Sequence, residues 1–297
     1  MRNVGAVPAP ALVLGGVVSL EGGAVVAALL IPMAGIAGTV TLRLGFGALG
    51  LLALRRPRWR RCLNTKTLAL AAAVGALLVL HHLCFYEAIH RLPLGVAVTL
   101  EFAGPLAVAL AGARQWSAVG WAVLAAAGVA AAAGITALGA IGVAGVLFGL
   151  AAGACWAGYI AVYPVLASHA GNRESLALAT TIAAVAIAPF GIAADHAGMF
   201  TGRSLLLGAS VALLCDVLAY TLQADALGRM PRSLFSILTS TEPAVGAILG
   251  LLALGQGIAL AQWAGIAGVV VASVGATRRR YLTAGSEEGA TAAAARG

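Results

Sequence analysis

Six carboxylates stand inside apolar stretches of this 297-residue chain: Glu21, Glu87, Glu101, Asp216, Asp225 and Glu242. A charged side chain at the centre of a membrane helix costs about 2.5–3.5 kcal/mol on insertion scales, so each is a functional-site candidate. Such groups can accept a substrate ammonium, and because burial disfavours the charged form they can also carry a coupling proton. Glu87 and Asp225 lie near the ends of their stretches, where a hydrated interface accounts for them. Glu21, Glu101 and Asp216 lie deeper, and Glu242 stands beside Pro243. Arg43 is the only basic residue in the middle of a stretch, which leaves it two roles: internal ion-pair partner or donor to a substrate.

Helical spacing gathers further polar groups around these carboxylates. Asp216, Tyr220 and Gln223 fall on one face, as do His82 with Tyr86, and Phe235 and Thr239 with Glu242. Trp156 and Tyr159, three residues apart, carry polar tips on apolar bodies, and a polar tip in a membrane needs a partner. Helix packing and a cavity would both supply one.

The setting of two carboxylates is written twice. Residues 91–105 run from Arg91-Leu92-Pro93 to Pro105 with Glu101 between, and residues 229–243 run from Arg229-Met230-Pro231 to Pro243 with Glu242. Pro93 to Pro231 and Pro105 to Pro243 share one offset of 138 positions. Pro93 and Pro231 open helices, where a missing N–H is harmless. Pro105 and Pro243 are expected inside helices, as structural kinks at a cavity that satisfies the freed carbonyls.

The elements that hold these residues are membrane spans. Hydrophobic residues make up 61% of the chain and charged residues 9%, against roughly 25% charged in a soluble domain. The mean hydropathy is +1.00. About 20 apolar residues cross a bilayer, and the chain divides into ten such runs near 11–30, 34–54, 67–89, 93–111, 117–136, 141–163, 175–193, 204–226, 231–252 and 257–277. The fold class expected is an all-α integral membrane protein, with ten transmembrane helices as two inverted five-helix repeats over 1–138 and 139–280. A disordered cytoplasmic tail is expected over 281–297.

Orientation follows from the basic residues. Only Arg91 and Arg203 fall on the outer side, and Arg43 lies within a span; the remaining fifteen of the 18 share one side with the N-terminus. The positive-inside rule therefore puts both termini in the cytoplasm. Because five is odd, the second repeat enters from the opposite side, a plan that places a substrate site at the midplane between halves.

Several function classes drop out. The net charge of +8 is spread between apolar runs and at the chain ends, with no basic face for nucleic acid. The four cysteines show no CxxC spacing, and no GxxxxGK[ST] loop is present for nucleotide hydrolysis. His81, His82, Glu87 and His90 resemble a metal cluster but do not form HExxH, and no GxSxG occurs, so an intramembrane enzyme is the weakest alternative. No metal or cofactor is expected.

Three segments carry a resemblance: LPLGVAVTLEFAGPLAVAL (92–110), GACWAGYI (153–160) and RMPRSLFSILTSTEPAVGAILGLLALGQ (229–256). They resemble the EamA-type carriers of the drug/metabolite transporter superfamily, and most closely the threonine/homoserine exporter group. Weaker likeness runs through 19–32 and 41–52. The resemblance implies a ten-helix carrier of the bacterial inner membrane that exports small amino acids or related metabolites. The chain departs from that group at Glu21 (Gln in the group), Ala28 (Lys), Gln223 and Gln256 (both Glu).

The expected function is secondary export of a small amino acid or related polar metabolite by alternating access, with protons as a coupling ion. The partners are the small-molecule substrate and the bilayer, with a homo-oligomer left open. A broad drug or metabolite exporter is the runner-up. The candidate pathway comprises Glu101, Glu21, Arg43, Asp216, Tyr220, Gln223, Glu242, His82, Tyr86, Trp156 and Tyr159, with Pro105 and Pro243 as kinks.

Overall fold

The computed structural model describes residues 7–55, 64–111, 116–132, 142–194 and 198–275. The expected tail, the basic connection around Cys62 and most of the turn at 138–142 lie outside the described residues. Every regular element described is helical: α1 (Ala9–Arg55), α2 (Thr65–Arg91), α3 (Leu94–Ala111), α4 (Trp116–Ala132), α5 (Val143–Ala170), α6 (Asn172–Ala194), α7 (Gly202–Ala212), α8 (Tyr220–Leu227), α9 (Arg232–Thr239), α10 (Glu242–Leu254) and α11 (Leu260–Gly275). A π-helical turn, Leu213–Ala219, joins α7 to α8. Among the described residues six helices, counting Gly202–Leu227 and Leu234–Leu254 as continuous, are long and apolar enough to cross a membrane, and three shorter apolar helices accompany them. The chain is a multi-pass membrane protein.

The 47 residues of α1 would stretch about 70 Å as one rod, more than twice a hydrocarbon core of roughly 30 Å. They are two rods. Gly35 interrupts the helix at φ 66, ψ 172, a conformation open essentially to glycine. The contacts on either side show a reversal. Gly16 meets Ala219 and Gln223, whereas Gly23 meets Leu214 and Cys215, so the first rod runs antiparallel to 202–227. Gly38 meets Met199, Gly47 meets Asp216 and Gly50 meets Val217, so the second rod runs parallel to it.

Small residues set the closest crossings. Gly145, Gly149 and Gly153, one turn apart on α5, pack against Leu92, Leu100 and the Glu101 carbonyl of α3. Backbones approach this closely only where no Cβ intervenes. Pro105 has no N–H, which leaves the Glu101 carbonyl without its helical donor. A Cβ on Gly153 would stand 2.7 Å from that carbonyl oxygen, so glycine lets α5 close over it. Antiparallel contacts join α3 to α10 (Gly95 with Ala247, Leu94 with Gly250) and α4 to α11 (Gly128 with Gly265, Trp121 with Gly275).

Pro105 lies inside α3 as expected. Pro243 lies within the apolar helix Leu234–Leu254, at an interruption of its regular winding. The chain leaves α9 at Thr239, turns through Ser240 and Thr241, and restarts at Glu242, with Pro243 in the first turn of α10. Proline is accepted there because the first N–H groups of a helix have no intrahelical acceptor. The Ser240 and Ser273 hydroxyls meet at 2.7 Å and tie the break to α11.

Candidate functional site

A cavity of about 350 Å³ lies among the helices, lined from α1, α2, α3, α5, α6, the π turn, α8, α9, α10 and α11. Its size falls in the range of roughly 300–1,000 Å³ common for small-molecule sites. The carboxyls of Glu21, Glu101, Asp216 and Glu242 all line it, as do Arg43, His82, Trp156, Tyr220, Gln223 and Pro105. Nine of the eleven expected pathway residues thus meet in one space. Tyr86 and Tyr159 are not among the lining residues; each supports one that is.

Arg43 resolves its two sequence roles in favour of an ion pair without leaving the cavity. Its Nη2 donates to Asp216 Oδ1 at 3.0 Å, and its Nη1 donates to the buried Tyr86 hydroxyl at 3.1 Å. Asp216 belongs to the π turn, and such turns recur at functional sites because they displace a side chain from the regular helical register. Its other oxygen, Oδ2, has no hydrogen-bond partner among the described residues and packs against Gly47.

Glu101 bonds to His81, whose Nε2 lies 2.6 Å from Glu101 Oε1. The His81 ring also lies 5.1 Å from that of Trp156, which stacks on Tyr159 at 4.8 Å, which in turn stacks on Tyr163 at 5.0 Å. Tyr159 therefore steadies the indole from behind. His82 turns its Nδ1 to the Leu78 carbonyl at 2.5 Å, so that nitrogen carries the hydrogen.

Glu21 is 3% exposed, and its Oε2 has no partner among the described residues. It lies against Gly246, where a Cβ would stand 3.0 Å from Oε2. Gly246 is one turn beyond Glu242 on α10 and also touches Val98, one turn before Glu101 on α3. Glu21, Glu101 and Glu242, from three helices, line the same cavity. Glu242 occupies the first turn of α10, where the positive end of the helix dipole favours a carboxylate.

Outside the cavity, Glu87 pairs with Arg91, and Asp225 with Arg229 at 3.0 Å, each one turn apart. This agrees with their placement near helix ends. Among the described residues no group of three or more His, Cys, Asp or Glu is arranged to hold a metal.

RhtA of Escherichia coli strain K12, a threonine/homoserine exporter, is 35% identical over 264 residues, 87% of this chain and 88% of the relative. RhtA of Salmonella typhimurium strain LT2 matches to the same extent, and the profile of the EamA-like transporter family matches residues 143–278. The chain belongs to the EamA-like transporter family. It is a transporter and not an enzyme. An uncharacterized transporter of Bacillus subtilis strain 168, YwfM, is 30% identical over 182 residues, 58% of this chain and 62% of its own. One solved crystal structure superposes with a TM-score of 0.59 at 18% identity, covering 90% of this chain and 98% of that one, a likeness of fold.

The positions at which the resemblance implies a departure from the exporter group divide in two. Glu21 and Gln223 line the cavity. Ala28 and Gln256 do not; Gln256 Oε1 accepts from the Leu94 N–H at 2.8 Å and so caps α3. His81 is the lining residue that sequence reasoning set aside. It was weighed only as part of a metal cluster with its neighbours, and its partner Glu101 lies 20 positions away on the next helix.

Proposed function

We propose that this EamA-family chain is a secondary transporter exporting a small amino acid or related polar metabolite across the bacterial inner membrane by alternating access. The single observation that carries the reading is the cavity. Elements from both halves of the chain line it with carboxyls, hydroxyls and aromatic faces, while the one guanidinium is held in place. The likeness to threonine/homoserine exporters supports the substrate class.

Ten spans in two inverted halves (1–138 and 139–280) fit the packing directions. Strict alternation makes the fourth span antiparallel to the ninth, the fifth antiparallel to the tenth, and the fourth parallel to the sixth. The α3–α10, α4–α11 and α3–α5 contacts run in those senses. An exchange of halves also turns the α3–α5 contact into one between α10 and the first rod of α1, which Glu21 and Gly246 make. Both termini then face the cytoplasm by the arginine distribution.

In this mechanism Glu101, Glu21 and Glu242 accept the substrate ammonium or a coupling proton. Tyr220, Gln223 and Thr239 present hydrogen-bonding groups to its other end, and the break between α9 and α10 lets one side open. Proteoliposomes loaded with labelled threonine and homoserine test it. Protein-dependent efflux is expected, and efflux equal to that of empty liposomes for every small amino acid tried would end the proposal. One observation favours the broader exporter: Phe85, Phe102, Trp156, Tyr220 and Phe235 all line the cavity. Protection of cells against cationic dyes, with no amino-acid efflux, would select it.

A further inference from the structure

We infer that the cavity is built for a substrate with net positive charge, a diamino acid or small amine, and that Glu21 is the group that recognises the extra ammonium. The inference rests on the amino-acid exporter reading and narrows it. Four carboxyls line the cavity against one guanidinium and two imidazoles among the described residues, and both imidazoles are engaged, His81 with Glu101 and His82 with the Leu78 carbonyl. That guanidinium's Nε is buried without a hydrogen-bond partner among the described residues, and its other two nitrogens are already engaged, Nη1 with Tyr86 and Nη2 with Asp216. Asp216 is balanced by the same bond. Glu101 holds His81, and Glu242 has the N-terminal end of α10. Of the four carboxyls, Glu21 alone has neither a side-chain partner among the described residues nor a helix N-terminus.

Its isolation is structural and does not depend on its protonation state. The side chain is 3% exposed and its Oε2 lacks a partner. A carboxylate there is an unpaired buried charge, and a carboxylic acid there still leaves a buried oxygen unsatisfied. An ammonium brings three donors and the opposite charge, and satisfies both deficits at once. A zwitterion brings one ammonium together with a carboxylate, which would enter a space where acids outnumber available cations. A second ammonium restores the balance. Gly246, with no Cβ, leaves room for the Glu21 carboxyl beside α10 at the cavity wall.

2,4-Diaminobutyrate and homoserine differ only by an ammonium in place of a hydroxyl, so they isolate the question. The full-length protein, reconstituted in liposomes loaded with both at equal concentration and with the membrane potential clamped at zero, should release diaminobutyrate at least about tenfold faster, the scale of one charge-assisted hydrogen bond. Glu21→Gln should lower the ratio of the two rates by a similar factor. Gly246→Ala, which pushes on the Glu21 carboxyl, should lower it in the same direction should the Gln variant fail to insert. A wild-type ratio of one or less, or a ratio untouched by both variants, overturns the inference while leaving amino-acid export standing. Release of neither compound above protein-free liposomes removes the export reading itself.

Discussion

Arg43 and Asp216 are 173 positions apart and meet at 3.0 Å, with side chains 8% and 13% exposed. The pair joins the second rod of α1 to the π turn, and Tyr86 of α2 completes it. Neither charge has water enough to stand alone. Asp216→Ala should therefore cost about 3–5 kcal/mol, the usual effect of leaving one buried charge without its partner. Removing both charges together, as Arg43→Gln with Asp216→Asn, should be milder than Asp216→Ala alone. Thermal unfolding in detergent measures this, and a double variant weaker than the single one would count against a paired role.

Glu101 stands where α3 loses a hydrogen bond to Pro105 and where α5 presses closest. Its carboxyl holds His81, and through it the ring facing Trp156. Glu101→Gln keeps the shape and removes the charge. Export should fall at least about tenfold, the weight of a charge-assisted hydrogen bond, with membrane abundance unchanged. Equal export at equal abundance would assign Glu101 to packing.

Much of this site was legible because apolar surroundings make polar residues conspicuous. Glu21, Glu101, Asp216 and Glu242 stood out by burial cost alone, and the helical faces of Asp216–Tyr220–Gln223 and Phe235–Thr239–Glu242 all reached the cavity. Pairings were not legible, since spacing along one helix says nothing of a partner on another. That is why His81–Glu101 was missed and Arg43 kept two roles. Proline marks an interruption at residue 243 but not its form, since a lost N–H suits a kinked helix and the first turn of a new one equally well. Tyr86 and Tyr159 share faces with lining residues, yet one turn of displacement places them behind the wall.

The α3–α5 crossing gives a steric prediction. A Cβ on Gly104 would collide with the Gly153 carbonyl, whereas a Cβ on Gly120 of α4 meets nothing within 4 Å. Gly104→Ala should reduce folded protein and move the Glu101 carboxyl. Gly120→Ala should be neutral or stabilising by up to about 1 kcal/mol, the helix-propensity gain. Comparable yields of the two variants by fluorescence-detected gel filtration would show that the crossing tolerates separation.

Topology can be tested apart from transport. Reporter fusions after Arg61 and after Arg280 should both read cytoplasmic, following the charge bias. A cysteine replacing Gly35, at the reversal of α1, should react with an impermeant thiol reagent added from outside. A periplasmic signal at either fusion would overturn the orientation, and with it the inversion of the two halves.

Glu21 and Gln223 reach the same cavity from the first rod of α1 and from α8. The resemblance to the exporter group implies the reverse arrangement there, Gln and then Glu, with an equal carboxyl count in a different position. Either place adds one carboxyl to a cavity already lined by Glu101, Asp216 and Glu242, and adding it at both would increase repulsion and drive one group to take up a proton. Glu21→Gln should impair export, and adding Gln223→Glu should restore part of it. The double-mutant cycle should give a coupling energy above about 0.5 kcal/mol, beyond the scatter of independent sites. A value near zero would mean that the two positions act separately, because only groups that serve one substrate charge can substitute for each other across the cavity.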